Sequence, residues 1–321
     1  MPETLDFEEP FVPLLKELDE LLLLPRTDSA QREIDALQKK LEAARARVYA
    51  SLTPWQRVQV ARHPNRPGFE SFHTSIFEGF VEIHGDRRFA DDHAMMTGFA
   101  EYKGQPVLVV GHVKGLDTKE KIFRNFGYAR PEGYRKALRA MRLAEKFRRP
   151  IIVFIDTPAA YPGIESEERG VAEAIAVNLR ELMVLDTPII VIVSGEGGSG
   201  GALGIAVGDA VLMQEHAIYS VIPPEGCAAI LWRDAGRKVE ASAALKLTAP
   251  DLLKAGIIDQ IIPEPIGGAH TDPPAAAALI VQALDEVLAE ISALDSATRL
   301  DRRYAKFRNM GRLGIDFVDE G

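Results

Sequence analysis

Gly195-Glu196-Gly197-Gly198-Ser199-Gly200-Gly201 is the stretch on which the reading of this chain turns. It follows an apolar run over 189–194, of strand length and rich in β-branched residues, and it opens a short helical segment closed by Gly208-Asp209. A strand-to-helix turn leaves backbone N–H groups without partners and aims them forward. Glycine adds freedom for positive φ and for close approach of a ligand to the backbone. The turn is therefore built to face something anionic, or something that becomes anionic during a reaction.

Three motifs fit these seven residues. Gly195, Gly197 and Gly200 match the dinucleotide pattern G-x-G-x-x-G, with Glu215 at a fitting distance for a ribose contact. The short helix that follows, and the position of the turn late in the fold, count against it. Gly197 to Gly201 also match G-x-S-x-G, which would make Ser199 a hydrolase nucleophile with Asp209, His216 and His270 following in Ser…Asp…His order. The third reading is an oxyanion hole without a side-chain nucleophile, in which the N–H groups of Gly200 and Gly201 hold a developing oxyanion and Gly197 and Gly198 let the substrate approach. One such donor is worth about 3–4 kcal/mol. A plain packing turn would need fewer glycines.

The loop over 156–163, Asp-Thr-Pro-Ala-Ala-Tyr-Pro-Gly, follows a second buried strand over 151–155 and leads to a helix over 167–185. Two such loops meet at the carboxyl edge of a parallel sheet, where ligands bind. Pro158 and Pro162 stiffen this one, Tyr161 is a candidate substrate contact, and Gly163 can present a further N–H. Upstream, a strand over 107–112 enters a basic segment containing Lys114, Lys119 and Arg124. A helix over 131–147 then carries Arg135, Arg139, Arg142 and Lys146 on one face. These cations read as a phosphate-binding patch, with Arg142 and Lys146 better explained as a salt-bridged face.

Further elements are a helix over 70–83, a strand over 210–214, a helix and strand within 240–262, and a C-terminal helix over 275–294. The basic tail over 299–312 reads as a solvated helical face. At the amino end, 11–24 and 29–49 are amphipathic helices, the second with Ile34, Leu37, Leu41, Ala44 and Val48 at helical spacing. Alternation of strands and helices makes the fold class α/β. The expected organisation is a helical segment over 1–52, a main domain over 53–265, and a connector with helices over 266–321.

Composition narrows the function. With 321 residues, 46% hydrophobic, 26% charged and a net charge of −9, the chain has no footprint for nucleic acid or an anionic membrane. The single cysteine, Cys227, excludes an internal disulfide and a thiolate-built metal site, and reads as a small buried helix residue. No apolar run reaches the ~18–20 residues needed to span a bilayer, and the acidic start lacks the pattern of a signal peptide. A cytoplasmic location is the expectation.

Taken in order, the blocks His112-Val113-Lys114-Gly115, Thr118 to Lys121, Arg124 to Gly127, Pro131 to Arg139, Asp156 to Gly163, Gly195 to Leu203 and Pro224 to Trp232 resemble the carboxyltransferase α subunits of bacterial multi-subunit acetyl-CoA carboxylase. The resemblance continues through Ile261 to His270. It implies a crotonase-like ββα spiral and a site shared with a carboxyltransferase β subunit in an α2β2 heterotetramer. The β subunit would hold the structural zinc, and this chain no metal. The implied substrates are acetyl-CoA, a coenzyme A thioester, and carboxybiotin presented by a biotin carboxyl carrier protein, with biotin carboxylase in the larger complex. The implied product is malonyl-CoA, the first committed intermediate of fatty acid synthesis. Biotin would supply the base as well as the carboxyl group, leaving geometry and electrostatics to the protein. Two departures stand out. Ala159 replaces a usual glycine, and Leu116 and Phe123 replace usual basic residues.

Overall fold

The computed structural model describes residues 5–23, 25 and 27–311. Among them eight strands make one sheet: β1 (Glu78–Glu82), β2 (Met95–Tyr102), β3 (Gln105–His112), β4 (Ile151–Thr157), β5 (Ile189–Gly198), β6 (Ala210–Gln214), β7 (Ile218–Ser220) and β8 (Gln260–Ile262). The order is β1-β2-β3-β4-β5-β6-β8, with β7 beside the end of β5. The first three strands pair antiparallel, and β3, β4, β5, β6 and β8 run parallel.

The centre of the sheet, β4 and β5, is buried on both faces, and the strand period of two divides its residues between two cores. Ile151, Val153, Ile155, Ile189, Val191 and Val193 face the helices Pro131–Lys146 and Val171–Val184. Ile152, Phe154, Ile190 and Ile192 face the helices Phe69–Ile76 and Pro273–Ser292. This explains why β4 and β5 read as unbroken apolar runs. Each such side chain contributes about 1.5–3 kcal/mol through burial. Parallel pairing of β4 and β5 brings their carboxyl ends to one edge, with Thr157 opposite Gly197 and a register irregularity at Asp156.

Several expectations change. The helix expected over 70–83 ends at Ile76, and β1 begins two residues later because the Phe77 side chain is drawn into the core. β2 was not anticipated; it forms a hairpin with β3 around Lys103 and Gly104, both at positive φ. The helix expected over 167–185 is two helices, Ile164–Glu168 and Val171–Val184, separated at left-handed Gly170 with φ +77°. The segment over 240–262 holds two helices, Lys238–Leu245 and Ala249–Lys254, before β8.

The tail is corrected more deeply. In the helix Ser296–Asn309, Arg299 and Arg303 are buried rather than solvated. Arg303 donates to both carboxylate oxygens of Asp209, at 2.8 and 2.7 Å, and to the carbonyls of Leu182, Leu185 and Thr187. The amino-terminal helices Val12–Leu22 and Asp28–Tyr49 share a small core in which Phe11, Leu41 and Tyr49 meet Leu52 and Val60. Positions 24 and 312, at the ends of two expected helices, lie outside the described residues. No helix among the described residues is long and apolar enough to cross a membrane.

Candidate active site

The glycine turn ends β5 and opens the helix Ser199–Leu203 at the carboxyl edge of the sheet. Gly195 to Gly197 are buried, whereas Gly198, Ser199 and Gly200 are partly exposed. That helix is only five residues long, so its macrodipole is small and its first-turn N–H groups matter as individual donors.

Most of the glycines answer to close packing. A Cβ at Gly198 would lie 1.8 Å from the Pro158 carbonyl oxygen, and one at Gly201 would lie 2.4 Å from the backbone of both Ala159 and Ala160. A Cβ at Gly195 would strike the Asp156 carboxylate, and one at Gly197 the Tyr219 ring. Gly200 differs. Its nearest neighbour would be the Ile175 side chain at 3.5 Å, ordinary contact. Two loops are thus clamped backbone to backbone, which fixes the direction of the first-turn N–H groups.

Ala159 needs no glycine, because it does not adopt positive φ. The 156–163 loop is secured elsewhere. The Thr157 hydroxyl donates to the Gly127 carbonyl at 2.7 Å, and the Tyr161 N–H to the Ala129 carbonyl at 2.9 Å. The Tyr161 ring is half-buried beneath the Arg130 guanidinium, 5.0 Å from its centroid, and Gly163 lies against that ring as the cap of Ile164–Glu168.

Beneath the turn sits an ion-pair network. The Lys114 ammonium lies 2.6 Å from Asp156 and 2.9 Å from Glu196, so the ends of β3, β4 and β5 are tied by one side chain. The other oxygen of Glu196 accepts from Arg62 at 2.6 Å, and Arg62 also reaches Glu225 at 2.7 Å. The Glu196 N–H donates to Asp156 at 2.9 Å. Burial alone would raise the Glu196 carboxyl, but the Lys114 and Arg62 charges outweigh it and hold the group at about 2. The same two carboxylates keep Lys114 firmly protonated despite burial. Behind β5, buried Arg66 donates to the Ser194 carbonyl and both oxygens of Glu264.

The expected substrate contacts divide into two groups. Lys114 is held in the network, and Arg135 is paired with Asp86 and Glu132 at 2.7 and 3.2 Å. Lys119 is exposed and makes no ion pair among the described residues, while Arg124 donates to the His93 carbonyl and stacks over Phe123. Sequence reasoning missed several supports. Tyr134, buried in a quoted block, donates its hydroxyl to the Gly201 carbonyl at 3.3 Å. Asn178 donates to the carbonyls of Tyr134 and Gly204 at 2.9 Å, and Arg62 carries no local sequence signal at all.

The hydrolase and dinucleotide readings fail on geometry. Asp209 is engaged by Arg303 and by the Ile189 N–H. His216 Nδ1 lies 3.0 Å from Arg57, and His270 is stacked on His63 with ring centroids 3.8 Å apart. Among the described residues none of these three side chains hydrogen-bonds to Ser199. The helix that a dinucleotide would need at the turn is a bare five residues.

A model of the acetyl co-enzyme A carboxylase carboxyltransferase-like family matches residues 4–311. The chain belongs to this family. Acetyl-coenzyme A carboxylase carboxyl transferase subunit alpha of Geobacter metallireducens is 54% identical over 309 residues, 96% of this chain and 97% of the relative. The subunit of the same name from a Methylobacterium is 50% identical over 97% of this chain and 99% of its own.

Solved structures place the carboxyltransferase chain in the crotonase-like α/β fold. Transcarboxylase 12S superposes with a TM-score of 0.56 at 20% identity, covering 70% of this chain and 42% of that one. A Pseudomonas malonate decarboxylase hetero-tetramer in complex with coenzyme A gives 0.55 at 19%, covering 69% and 90%. The Cys227 thiol of this family member is buried in the helix Pro224–Trp232, as expected.

Proposed function

We propose that this chain supplies one half of a carboxyltransferase site that moves the carboxyl group from carboxybiotin, carried by a biotin carboxyl carrier protein, to acetyl-CoA, giving malonyl-CoA. The observation that carries the reading is the backbone clamp between Gly198–Gly201 and Pro158–Ala160. It holds the N–H groups of Gly200 and Gly201 as preset donors, so that an oxyanion finds them without reorganisation. Carrier-borne biotin brings the carboxyl group and accepts the methyl proton. The protein's own work is to hold an enolate or ureido oxygen at the turn and to fix the distance between the two substrates.

The turn fits a substrate oxygen because its Gly198–Gly200 face is open while every other side is packed. Gly163 stands as a further donor and Gly198 as the surface that the substrate approaches; Gly197, buried against Tyr219, lies outside that open face. Tyr161 borders the same loop. Lys119 and Arg124, free of carboxylate partners, are the better candidates for coenzyme A phosphates than Lys114 or Arg135, whose charges are compensated.

The surface around the turn supports a partner chain. Leu203, Ile164 and Val221 are exposed, as are Ile230 and Leu231 on Pro224–Trp232 and Ile122, Phe123 and Phe126 after β3. These residues follow the strand ends that build the site, and an apolar rim of this extent marks an interface. We assign it to a carboxyltransferase β subunit, in an α2β2 arrangement with the zinc on that partner and the work done in the cytoplasm. The test is malonyl-CoA formation from acetyl-CoA and carboxybiotinylated carrier, with and without that subunit. Activity only in the mixture is expected. An assembled mixture without activity would overturn the reading.

A further inference from the structure

The chain carries a net charge of −9, yet one groove on it is strongly cationic. It measures about 830 Å³ and lies between the helices Pro131–Lys146 and Val171–Val184, with no residue of the glycine turn in its lining. Seven basic side chains and two acidic ones line it.

Local pairing does not cancel this charge. Arg135 is matched by Asp86 and Glu132, and Arg142 and Arg180 share Glu181. Arg87, Arg88, Arg139 and Lys146 have no carboxylate partner among the described residues. Arg139 donates only to the carbonyls of His84 and Gly85, at 2.9 and 2.8 Å, and its buried Nε has no partner. Burial, then the nearby Arg87 charge, pull the Arg139 guanidinium below its ordinary pKa. A cluster of like charges that the fold leaves uncompensated gains from an anion.

We propose that this groove binds a phosphorylated small molecule, with Arg87, Arg88 and Arg139 on its phosphates and Leu143 and Val177 beneath its apolar part. Guanidinium groups suit phosphate oxygens because their paired N–H donors match two oxygens at once. The volume matches pockets for single small ligands, about 300–1,000 Å³, rather than a nucleic-acid track. Asn178, 1% exposed, lines the same groove with its Oδ1 unpartnered, an acceptor for an N–H or O–H of the ligand. Its amide nitrogen holds the Tyr134 and Gly204 carbonyls, so an occupied groove would sit one residue away from the supports of the glycine turn. The proposal is independent of which reaction the turn performs.

The test is calorimetric titration of the full chain, at near-physiological salt, with inorganic tripolyphosphate and separately with ATP. A Kd below about 1 mM is expected for at least one of them. The double variant Arg87→Glu/Arg88→Glu, changed only at exposed positions, should weaken binding at least about tenfold. Arg47→Glu, a single charge reversal on the amino-terminal helix, should leave it within about twofold. Tighter binding of ATP would show that the apolar floor receives the base; equal binding would make polyphosphate itself the ligand. Silent titrations with both probes to about 5 mM, or equal weakening by Arg47→Glu, would overturn the proposal.

Discussion

Glu196 and Lys114 meet 2.9 Å apart directly under the glycine turn, in a network that also holds Asp156. Replacing Lys114 by Met leaves buried Asp156 without an ion-pair partner and Glu196 with Arg62 alone, which should cost about 3–5 kcal/mol of stability. Because the ammonium braces the turn, the assembled enzyme should lose kcat while its KM for acetyl-CoA stays close to normal. Denaturant unfolding and steady-state kinetics check both halves. A rise in KM alone, with stability intact, would make Lys114 a ligand contact.

Gly200 and Gly201 are neighbours with opposite tolerance. Alanine at Gly201 drives a methyl group into the Ala159–Ala160 backbone at 2.4 Å, where no side chain can move aside. Gly201→Ala should cost about 1–3 kcal/mol of stability and, by displacing a donor, about 100-fold or more in kcat. Gly200→Ala meets only Ile175 and keeps its N–H. Its melting temperature should be unchanged or slightly raised, and its activity within several-fold of normal. Equal damage from both would mean that substrate, not packing, demands glycine at 200.

Ser199 sits at φ +49°, a left-handed conformation that costs an L-residue roughly 1–2 kcal/mol. Ser199→Gly should therefore stabilise the chain by a sizeable part of that amount and leave carboxyl transfer nearly unchanged. The chain should not label with a fluorophosphonate. Loss of carboxyl transfer with a raised melting temperature would give the hydroxyl a part in the reaction.

The parts of the fold that were legible are those governed by local rules. Burial on both faces produced the apolar runs of β4 and β5, and the glycines of 195–201 marked the turn. The clamp on which the proposed oxyanion hole rests depends on Pro158–Ala160, nearly forty residues upstream, and could be guessed only because both loops follow parallel strands. Lys114 and Arg135 were read as ligand contacts since a basic residue in an acidic chain looks unpaired in sequence. Their carboxylates, Glu196, Asp156 and Asp86, arrive through tertiary folding.

Arg303 shows the same limit from the other side, because the basic tail looked solvated. The buried pair with Asp209 pins the last described helix to the start of β5 through the Ile189 N–H. Arg303→Met should cost about 3–5 kcal/mol by leaving Asp209 buried without its partner. Arg302→Met, at a largely exposed neighbour, should change stability by under about 1 kcal/mol. Equal unfolding midpoints for the two variants would refute the distinction.

The acid response should begin at the histidines. Burial, together with the Lys114 charge, pushes the His112 imidazole down to about 3, and burial does the same to His270. His112 lies beside the Phe154 and Gly201 backbone without making an acceptable hydrogen bond to either. Such groups lend stability that is whole above the unfolded value near 6.5 and is lost as pH falls from there towards 3. At pH 5.5 each should have forfeited about 1.4 kcal/mol. Glu196 and Glu264, held at about 2, keep their contributions down to about 4.5 and lose them only below it. Asp92 opposes the trend, since burial raises it to about 6 and acidification relieves that cost. The variant His112→Leu removes one histidine and leaves Asp92 untouched, so the difference between the two proteins isolates a single group. Urea midpoints at pH 7.5, 6.5 and 5.5 should converge towards, or cross in favour of, the variant as pH falls; parallel curves would show that His112 takes up its proton as readily folded as unfolded.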